Sequence, residues 1–332
     1  KEDGYIDAYY GPEAVQQQAV ADASGYTLPQ LEARVVALKL RAGAFADDGI
    51  EGDSMEERRA RFLAAQLTAA RTRLRMMRGE TIPFVEEAEG LFGVRPETPP
   101  LSSFDETIAR IDALVRGEGP LWQRIEGFTD RFNIPEDRLQ PVLDAAIAEC
   151  KRRTLERIAL PAGESFTLAL VTEKPWSGYN YYQGGYASKI EINTDLPVRL
   201  NRAVDLGCHE GYPGHHAFNA LLEKNLVNAR GWTEFSVYPL FSPQSLIAEG
   251  SANYGIDLAF PGDEQLAFER EVLAPLAGLP TDDLATYAAL REAMRDLGPA
   301  RYTIAAQYLA EEITREEAAD LLQRYQLVSP ER

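Results

Sequence analysis

The chain has 332 residues, enough for one large domain or two ordinary ones. Its 34 basic and 52 acidic residues leave a net charge of -18, which argues against nucleic acid or an anionic membrane as a partner, because both attract basic surfaces. The sequence contains no run of about 18 apolar residues, so we expect no membrane span. Composition does not predict the oligomeric state.

Two cysteines, Cys150 and Cys208, are too few for a disulfide framework. Cys208 precedes a histidine, so a metal or redox role is open, but a small buried hydrophobic side chain is the simpler interpretation. The sequence begins with Lys1 and has no apolar signal region. The localisation stays open: the cytoplasm is slightly favoured, and a periplasmic or secreted protein is the alternative if a signal peptide was removed.

The first part of the chain, residues 1–160, has the pattern of helices. Apolar residues recur at helical spacing over residues 28–45. A longer helix is predicted to begin at Ser54, which forms a capping box with Glu57, and to stop at Gly79.

The second part, residues 161–332, combines a small sheet with helices. Residues 164–173 are rich in strand formers and residues 186–197 alternate as a second strand would, with a loop of glycines and aromatic residues between them. Helices return after Pro197. We therefore predict one mostly helical domain over residues 1–332, in which a helical N-terminal part precedes the small sheet and the helices of a metal site.

All three histidines of the chain lie in the segment "CHEGYPGHH", as His209, His215 and His216. A zinc hydrolase holds its ion with neutral imidazoles and uses a nearby carboxylate to take a proton from the attacking water. The usual helical pattern is H-E-x-x-H. Here His209 and Glu210 supply the first half of that pattern, but Pro213 occupies the position of the second histidine.

Ideal helix geometry does not bring the histidines together. His215 points about 120° away from His209, whereas His216 is in phase but about 10 Å further along the axis. A bend at Pro213 and Gly214 would return one of them to His209. We prefer His215, because a two-residue insertion into H-E-x-x-H moves the second histidine from i+4 to i+6; His216 is the alternative. If no metal binds, the pattern describes a helix end with surface histidines.

Glu249 is the candidate third ligand. It lies among apolar and small residues in 245–255, an unfavourable place for an unpaired charge, although a solvated helix face is the alternative. The small residues 250–252 would let two helices approach closely. Asp205, four residues before His209, would either orient a ligand ring or act as an acid near a helix N-terminus.

The segments "HEGYPGHH" (209–216) and "AEGSANYG" (248–255) resemble the DUF885 family of uncharacterised bacterial proteins, whose motif is H-E-x-x-P-G-H-H. The resemblance covers the chain from about residue 176 to its end. It implies a mainly helical, gluzincin-type zinc metallopeptidase architecture with one zinc ion. The implied ligands are His209, one of the two following histidines and Glu249, and Glu210 is the implied general base.

Two parts of the sequence depart from the family pattern. Ser251 and Asn253 replace the usual Trp and Leu. The family also has an arginine-led helix that often carries an Asp and a His. Arg301 is present here, but the places of the Asp and the His are taken by Ala306 or Gln307 and by Leu309.

Amide hydrolysis builds negative charge on the carbonyl oxygen, and a Tyr, His or Arg donor usually shares that charge with the metal. With the histidines used near the metal, the candidates are Tyr182 and Arg301; Arg301 would hold a substrate carboxylate or else an ion pair. Tyr254 ranks lower. The strand over residues 187–195 is a candidate edge strand for peptide substrate. Aromatic packing is the alternative for the tyrosines of the loop, which are Tyr179, Tyr181, Tyr182 and Tyr186.

These patterns predict a zinc-dependent hydrolase of peptide or small amide bonds, in which Glu210 activates the attacking water. The alternative is a non-catalytic helical protein that binds a metal or a peptide. The number of protein ligands separates the two, because catalytic zinc sites keep a position for water whereas structural sites are closed by four ligands.

Overall fold

The computed structural model describes residue 2 and residues 4–46 and 54–329. These residues are mainly helical with small sheets, as predicted. The strands are β1 (Ile6–Tyr9), β2 (Ser165–Val171), β3 (Gly178–Gly184), β4 (Ala187–Asn193) and β5 (Val237–Pro239). The α-helices are α1 (Glu13–Gly25), α2 (Leu28–Ala46), α3 (Met55–Met77), α4 (Phe84–Phe92), α5 (Asp105–Leu114), α6 (Leu121–Thr129), α7 (Glu136–Leu155), α8 (Leu200–Asp205), α9 (His215–Leu222), α10 (Pro243–Ala259), α11 (Glu264–Phe268), α12 (Ala274–Ala277), α13 (Leu284–Asp296), α14 (Ala300–Leu309) and α15 (Arg315–Gln326).

The predicted helix boundaries in the first part of the chain are confirmed. Helix α2 covers the predicted residues 28–45. At the start of α3, the Glu57 backbone N–H donates to the Ser54 hydroxyl at 3.2 Å, and the Ser54 N–H donates to the Glu57 carboxylate at 2.8 Å. The chain leaves α3 through Gly79, whose φ of 82° favours glycine.

The larger sheet has the order β2-β4-β3, with β2 parallel and β3 antiparallel to β4. The predicted loop between two strands was wrong, since residues 178–184 form β3. The glycines of this stretch suggested a loop, but its tyrosines are strand formers and every second side chain packs inward. Strand β4 is central, so the prediction of an edge strand at residues 187–195 was also wrong.

A second, two-stranded sheet brings the start of the chain to the middle of the molecule. Strand β1 pairs antiparallel with β5, with Ala8 opposite Tyr238. Strand β1 also lies against β3. Asp7 of β1 therefore lies at the same cavity as the histidine segment, although more than 200 positions separate it from His209 in the sequence.

Helix α7 supports α8 and the segment that follows it. Cys150 of α7 and Cys208 form a disulfide with a Cα–Cα distance of 5.3 Å, and both side chains are wholly buried. The interpretation of Cys208 as a free, small hydrophobic side chain was wrong, because Cys208 is bonded to Cys150. The sequence does not reveal this bond, since the two cysteines lie 58 positions apart. None of the helices within the described ranges has the length and apolar character needed to cross a bilayer.

Candidate metal site

A bend in the chain positions the histidines. Helix α8 widens into a π-helical stretch, Leu206–Gly211, and α9 begins at His215. Between them lies a cis Tyr212–Pro213 peptide bond, and the Gly214 N–H donates to the Cys208 carbonyl at 2.9 Å. A Cβ atom on Gly214 would lie 1.8 Å from the His209 carbonyl oxygen, so only glycine fits there.

Helix α10 packs tightly on this bend and carries Glu249. A Cβ atom on Gly255 would lie 2.9 Å from Cγ of Pro213, and Ala252 is buried in the same contact region. The predicted close approach thus occurs at Gly255, which lies outside the predicted residues 250–252. Gly250, by contrast, faces open space.

Three of the predicted ligands converge. The Nε2 atom of His209 lies 3.4 Å from one Glu249 carboxylate oxygen, and the Nε2 atom of His215 lies 3.3 Å from the other. Ligand atoms of the three residues all lie within 4.8 Å of one another. Hydrogen bonds from His209 and then His215 lower the pKa of Glu249, because they stabilise its ionised form.

The arrangement fits a zinc ion. A tetrahedral ion with bonds of about 2 Å separates its ligand atoms by about 3.3 Å, similar to the distance from each histidine Nε2 atom to the Glu249 oxygen nearest to it, although these are two different oxygens of the carboxylate. Two imidazoles and one carboxylate are also a donor set that zinc accepts in catalytic sites. The three side chains line a cavity of about 980 Å³.

His216 faces the opposite way. Its side chain is wholly buried, with Nδ1 2.8 Å from the Ser188 hydroxyl and Nε2 2.8 Å from a Glu164 carboxylate oxygen. Burial lowers the pKa of His216 in spite of the hydrogen bond with Glu164. Glu164 also accepts a hydrogen bond from the Tyr212 hydroxyl at 2.6 Å and pairs with Lys151 at 2.8 Å. Both ring nitrogens of His216 therefore have protein partners.

Glu210 lies next to the three converging residues, and its side chain lines the same cavity. Burial raises the pKa of Glu210, because the charged carboxylate loses water contacts. Asn180 of β3 donates a 2.7 Å hydrogen bond to the Glu210 carbonyl, and a Cβ atom on Gly178 would come within 3.1 Å of the Glu210 carboxylate. Strand β3 thus packs directly against Glu210 through Asn180 and Gly178.

Tyr182 and Arg301 lie elsewhere. The Tyr182 hydroxyl donates to the Glu223 carboxylate at 2.5 Å in a buried contact, and Arg301 donates to Gln326 at 3.3 Å. Neither residue lines the cavity. Asp205 does line it, and its carboxylate lies 3.3 Å from Arg202, so its partner is an arginine.

Sequence reasoning missed two cavity residues that the fold brings to the site, Asp7 and Tyr238, and named a third, Tyr179, only among the tyrosines of the loop. Asp7 of β1 accepts a hydrogen bond from the Tyr179 hydroxyl, and both lie at the cavity wall with Tyr238 of β5. Burial raises the pKa of Tyr238 to about 12, and the charge of Glu249 contributes to that increase. Tyr179 was only one of four candidate tyrosines. No local sequence pattern predicts that Asp7 and Tyr238 lie at the cavity, because only the pairing of β1 with β5 places them there.

Comparison of the chain with models of known protein families, with curated proteins and with solved structures finds no match. The resemblance to DUF885 therefore stays a prediction that depends on the two short motifs.

Proposed function

We propose that this protein is a zinc-dependent hydrolase of peptide or small amide bonds with a zincin-like arrangement of its site. The proposal depends above all on one observation, which is that His209, His215 and Glu249 converge at the wall of a large cavity with Glu210 beside them. Three protein ligands and an open fourth position are typical of catalytic zinc sites. The engagement of His216 with Glu164 and Ser188 favours this function over a closed structural site with four ligands.

His209, His215 and Glu249 would hold the ion from two directions, the histidines from the bent segment and the glutamate from α10. When bound, zinc supplies a Lewis acid that polarises a carbonyl group and lowers the pKa of water. The disulfide at Cys208 and the close packing of Gly255 on Pro213 fix these two elements before any ion binds. Such pre-positioning is what a catalytic site requires.

Glu210 takes the role of general base and acid. Its carboxylate accepts a proton from the attacking water as the new carbon–oxygen bond forms, and returns that proton to the amine nitrogen as the carbon–nitrogen bond breaks. The products are a carboxylate and an amine. Its burial suits this role, because a carboxylate whose pKa is raised is a stronger base.

Tyr238 is our candidate donor to the carbonyl oxygen. Its hydroxyl stays protonated at neutral pH, since its pKa is about 12, and its only hydrogen bond among the described residues is a long one of 3.4 Å to Ser245. The Tyr179 hydroxyl is less free because it donates to Asp7. A neutral donor at the cavity wall stabilises negative charge that develops on the substrate oxygen.

Glu210→Gln tests the proposal most directly. We expect the purified wild-type protein to bind one zinc ion and to cleave members of a pool of N-acetylated peptides, detected by mass spectrometry. The variant keeps the side-chain shape but cannot accept the proton, so we expect it to bind zinc equally and to lose about 100-fold or more in hydrolysis rate.

Glu271→Gln is the matched control, because Glu271 is exposed and does not line the cavity. It should bind zinc and hydrolyse peptides as the wild type does. Equal rates in Glu210→Gln and wild type would remove Glu210 from the mechanism. Failure of the wild type to bind zinc would remove the metal site.

A further inference from the structure

Three arginines line the cavity, together with several acidic residues. Arg202 of α8 and both Arg291 and Arg295 of α13 line it together with Glu210 and the three candidate zinc ligands. Arg202 lies on the helix that leads directly into the segment carrying His209 and Glu210. The hydrolytic mechanism described above uses none of these arginines.

Arg291 is held in place from behind. Its Nη1 atom donates a 2.9 Å hydrogen bond to Glu269, whose side chain is wholly buried, and Gln265 donates to the same carboxylate oxygen at 2.8 Å. Among the described residues, Arg291 has no other hydrogen-bond acceptor. A guanidinium has five N–H donors, so most donors of Arg291 are left for a molecule in the cavity.

Arg202 lies beside this anchored group. It donates to Asp205 at 3.3 Å and to Ser177 at 3.2 Å, both long hydrogen bonds. Arg202 and Arg291 line the large cavity together, and both also line a second, smaller cavity, so the two guanidinium groups belong to the same region of the surface. Long, partly exposed ion pairs contribute little stability, and a better acceptor can replace them at small cost.

We propose that Arg202 and Arg291 bind a carboxylate of the substrate, so that the preferred substrates are peptides with a free carboxylate near the cleaved bond. This inference rests on the proposed function for the bond that is cleaved, but the carboxylate site itself exists without zinc. Arginine presents two parallel donors that match the two oxygens of a carboxylate, which gives both affinity and orientation. Arg202 lies seven residues before His209, about 10 Å along a helical stretch, a distance that about three residues of an extended peptide span.

Apolar side chains complete the cavity wall. Leu206, Leu240, Ile256 and Met294 line it together with the arginines. They favour an apolar residue next to the carboxylate, because its burial removes apolar surface from water. N-acetyl-leucyl-leucine is therefore a suitable probe, and its C-terminal amide is a matched probe that lacks only the charge.

The test is calorimetric titration of the zinc-free wild-type protein with both probes. We expect the carboxylate to bind at least about tenfold more tightly than the amide. In Arg202→Gln and in Arg291→Gln the ratio should fall below about threefold, whereas Arg270→Gln should keep it, because Arg270 does not line the cavity. Because Arg291→Gln leaves Glu269 buried without its cation, the double variant Arg291→Gln/Glu269→Gln serves as a second measurement if the single variant fails to fold.

Equal binding of the two probes to the wild type, including the absence of measurable binding by either, overturns the inference. A tenfold ratio that survives in Arg202→Gln, in Arg291→Gln and in the double variant also overturns it. Omission of zinc excludes direct binding of the probe carboxylate to the ion.

Hydrolysis of the same probes by the zinc-loaded protein separates this inference from the proposed function. If the zinc-free protein prefers the carboxylate but the zinc-loaded protein cleaves no peptide, the hydrolase proposal fails and the carboxylate site stands. If peptides are cleaved and the two probes bind equally, the hydrolase stands and the carboxylate site fails.

Discussion

His215 and His216 are neighbours in the sequence but have opposite surroundings. His215 turns toward the cavity, where its Nε2 atom lies 3.3 Å from a half-exposed carboxylate of Glu249. His216 turns into the core, where Glu164 and Ser188 engage both of its nitrogens. A ring whose donor and acceptor are both engaged has no lone pair left for an ion. The comparison shows that two adjacent histidines have different partners, and it is the reason why we propose His215 and not His216 as the ligand.

The bend at residue 214 creates the difference between the two histidines, so Gly214→Ala should have the largest effect. A Cβ atom there would lie 1.8 Å from the His209 carbonyl oxygen, so the backbone must move. We expect a loss of about 4 kcal/mol or more in the free energy of unfolding, and loss of zinc binding by any molecules that still fold. Urea denaturation and zinc titration measure the two effects.

Gly250→Ala is the matched control, because Gly250 lies inside α10 and a Cβ atom there would meet nothing within 4 Å. Replacement of a glycine within a helix should raise the free energy of unfolding by about 0.5–1 kcal/mol. It should leave zinc binding unchanged. Equal stability of the two alanine variants would contradict the requirement for glycine at the bend.

Alanine substitutions at the two histidines test the comparison itself. His215→Ala should weaken zinc binding at least about 100-fold, measured by competition with a zinc-binding dye, and should change the stability of the zinc-free protein little. His216→Ala should do the reverse. It leaves buried Glu164 without one partner, so we expect a loss of about 3 kcal/mol in the free energy of unfolding, with zinc affinity within about tenfold of wild type.

The opposite result, in which His216→Ala weakens zinc binding more than His215→Ala, would make His216 the ligand. A large loss of stability in both variants, without any change in zinc affinity in either, would make both histidines structural.

The sequence predicted the parts of the site that short-range patterns encode. The clustering of His209, Glu210 and His215 around Pro213 and Gly214 predicted a bent metal-binding segment, because helix geometry leaves no other way to bring two rings together. The unusual position of Glu249 among apolar residues suggested a partner for its charge. The structure places these side chains next to one another.

The sequence did not predict the parts that depend on long-range pairing. Asp7 and Tyr238 reach the cavity because β1 pairs with β5, and the pairing of such short strands leaves no recognisable pattern. The Cys150–Cys208 disulfide likewise depends on the packing of α7 against the π-helical stretch. Tyr182 was chosen among equivalent tyrosines, and only the register of β3 shows that its side chain points at Glu223.

The smallest effects are expected from hydroxyl removal at two buried tyrosines. Tyr238 lies at the cavity, whereas Tyr182 contacts Glu223. Tyr238→Phe removes our candidate donor to the carbonyl oxygen, so we expect kcat to fall about tenfold with little change in stability. Tyr182→Phe removes a hydrogen bond to a buried carboxylate, so we expect a loss of about 1–2 kcal/mol in the free energy of unfolding and unchanged kcat. Steady-state kinetics and urea denaturation of both variants are compared with wild type. If Tyr182→Phe lowers kcat and Tyr238→Phe does not, the negative charge on the carbonyl oxygen is not stabilised from the β5 side of the cavity, and the choice of Tyr238 is wrong.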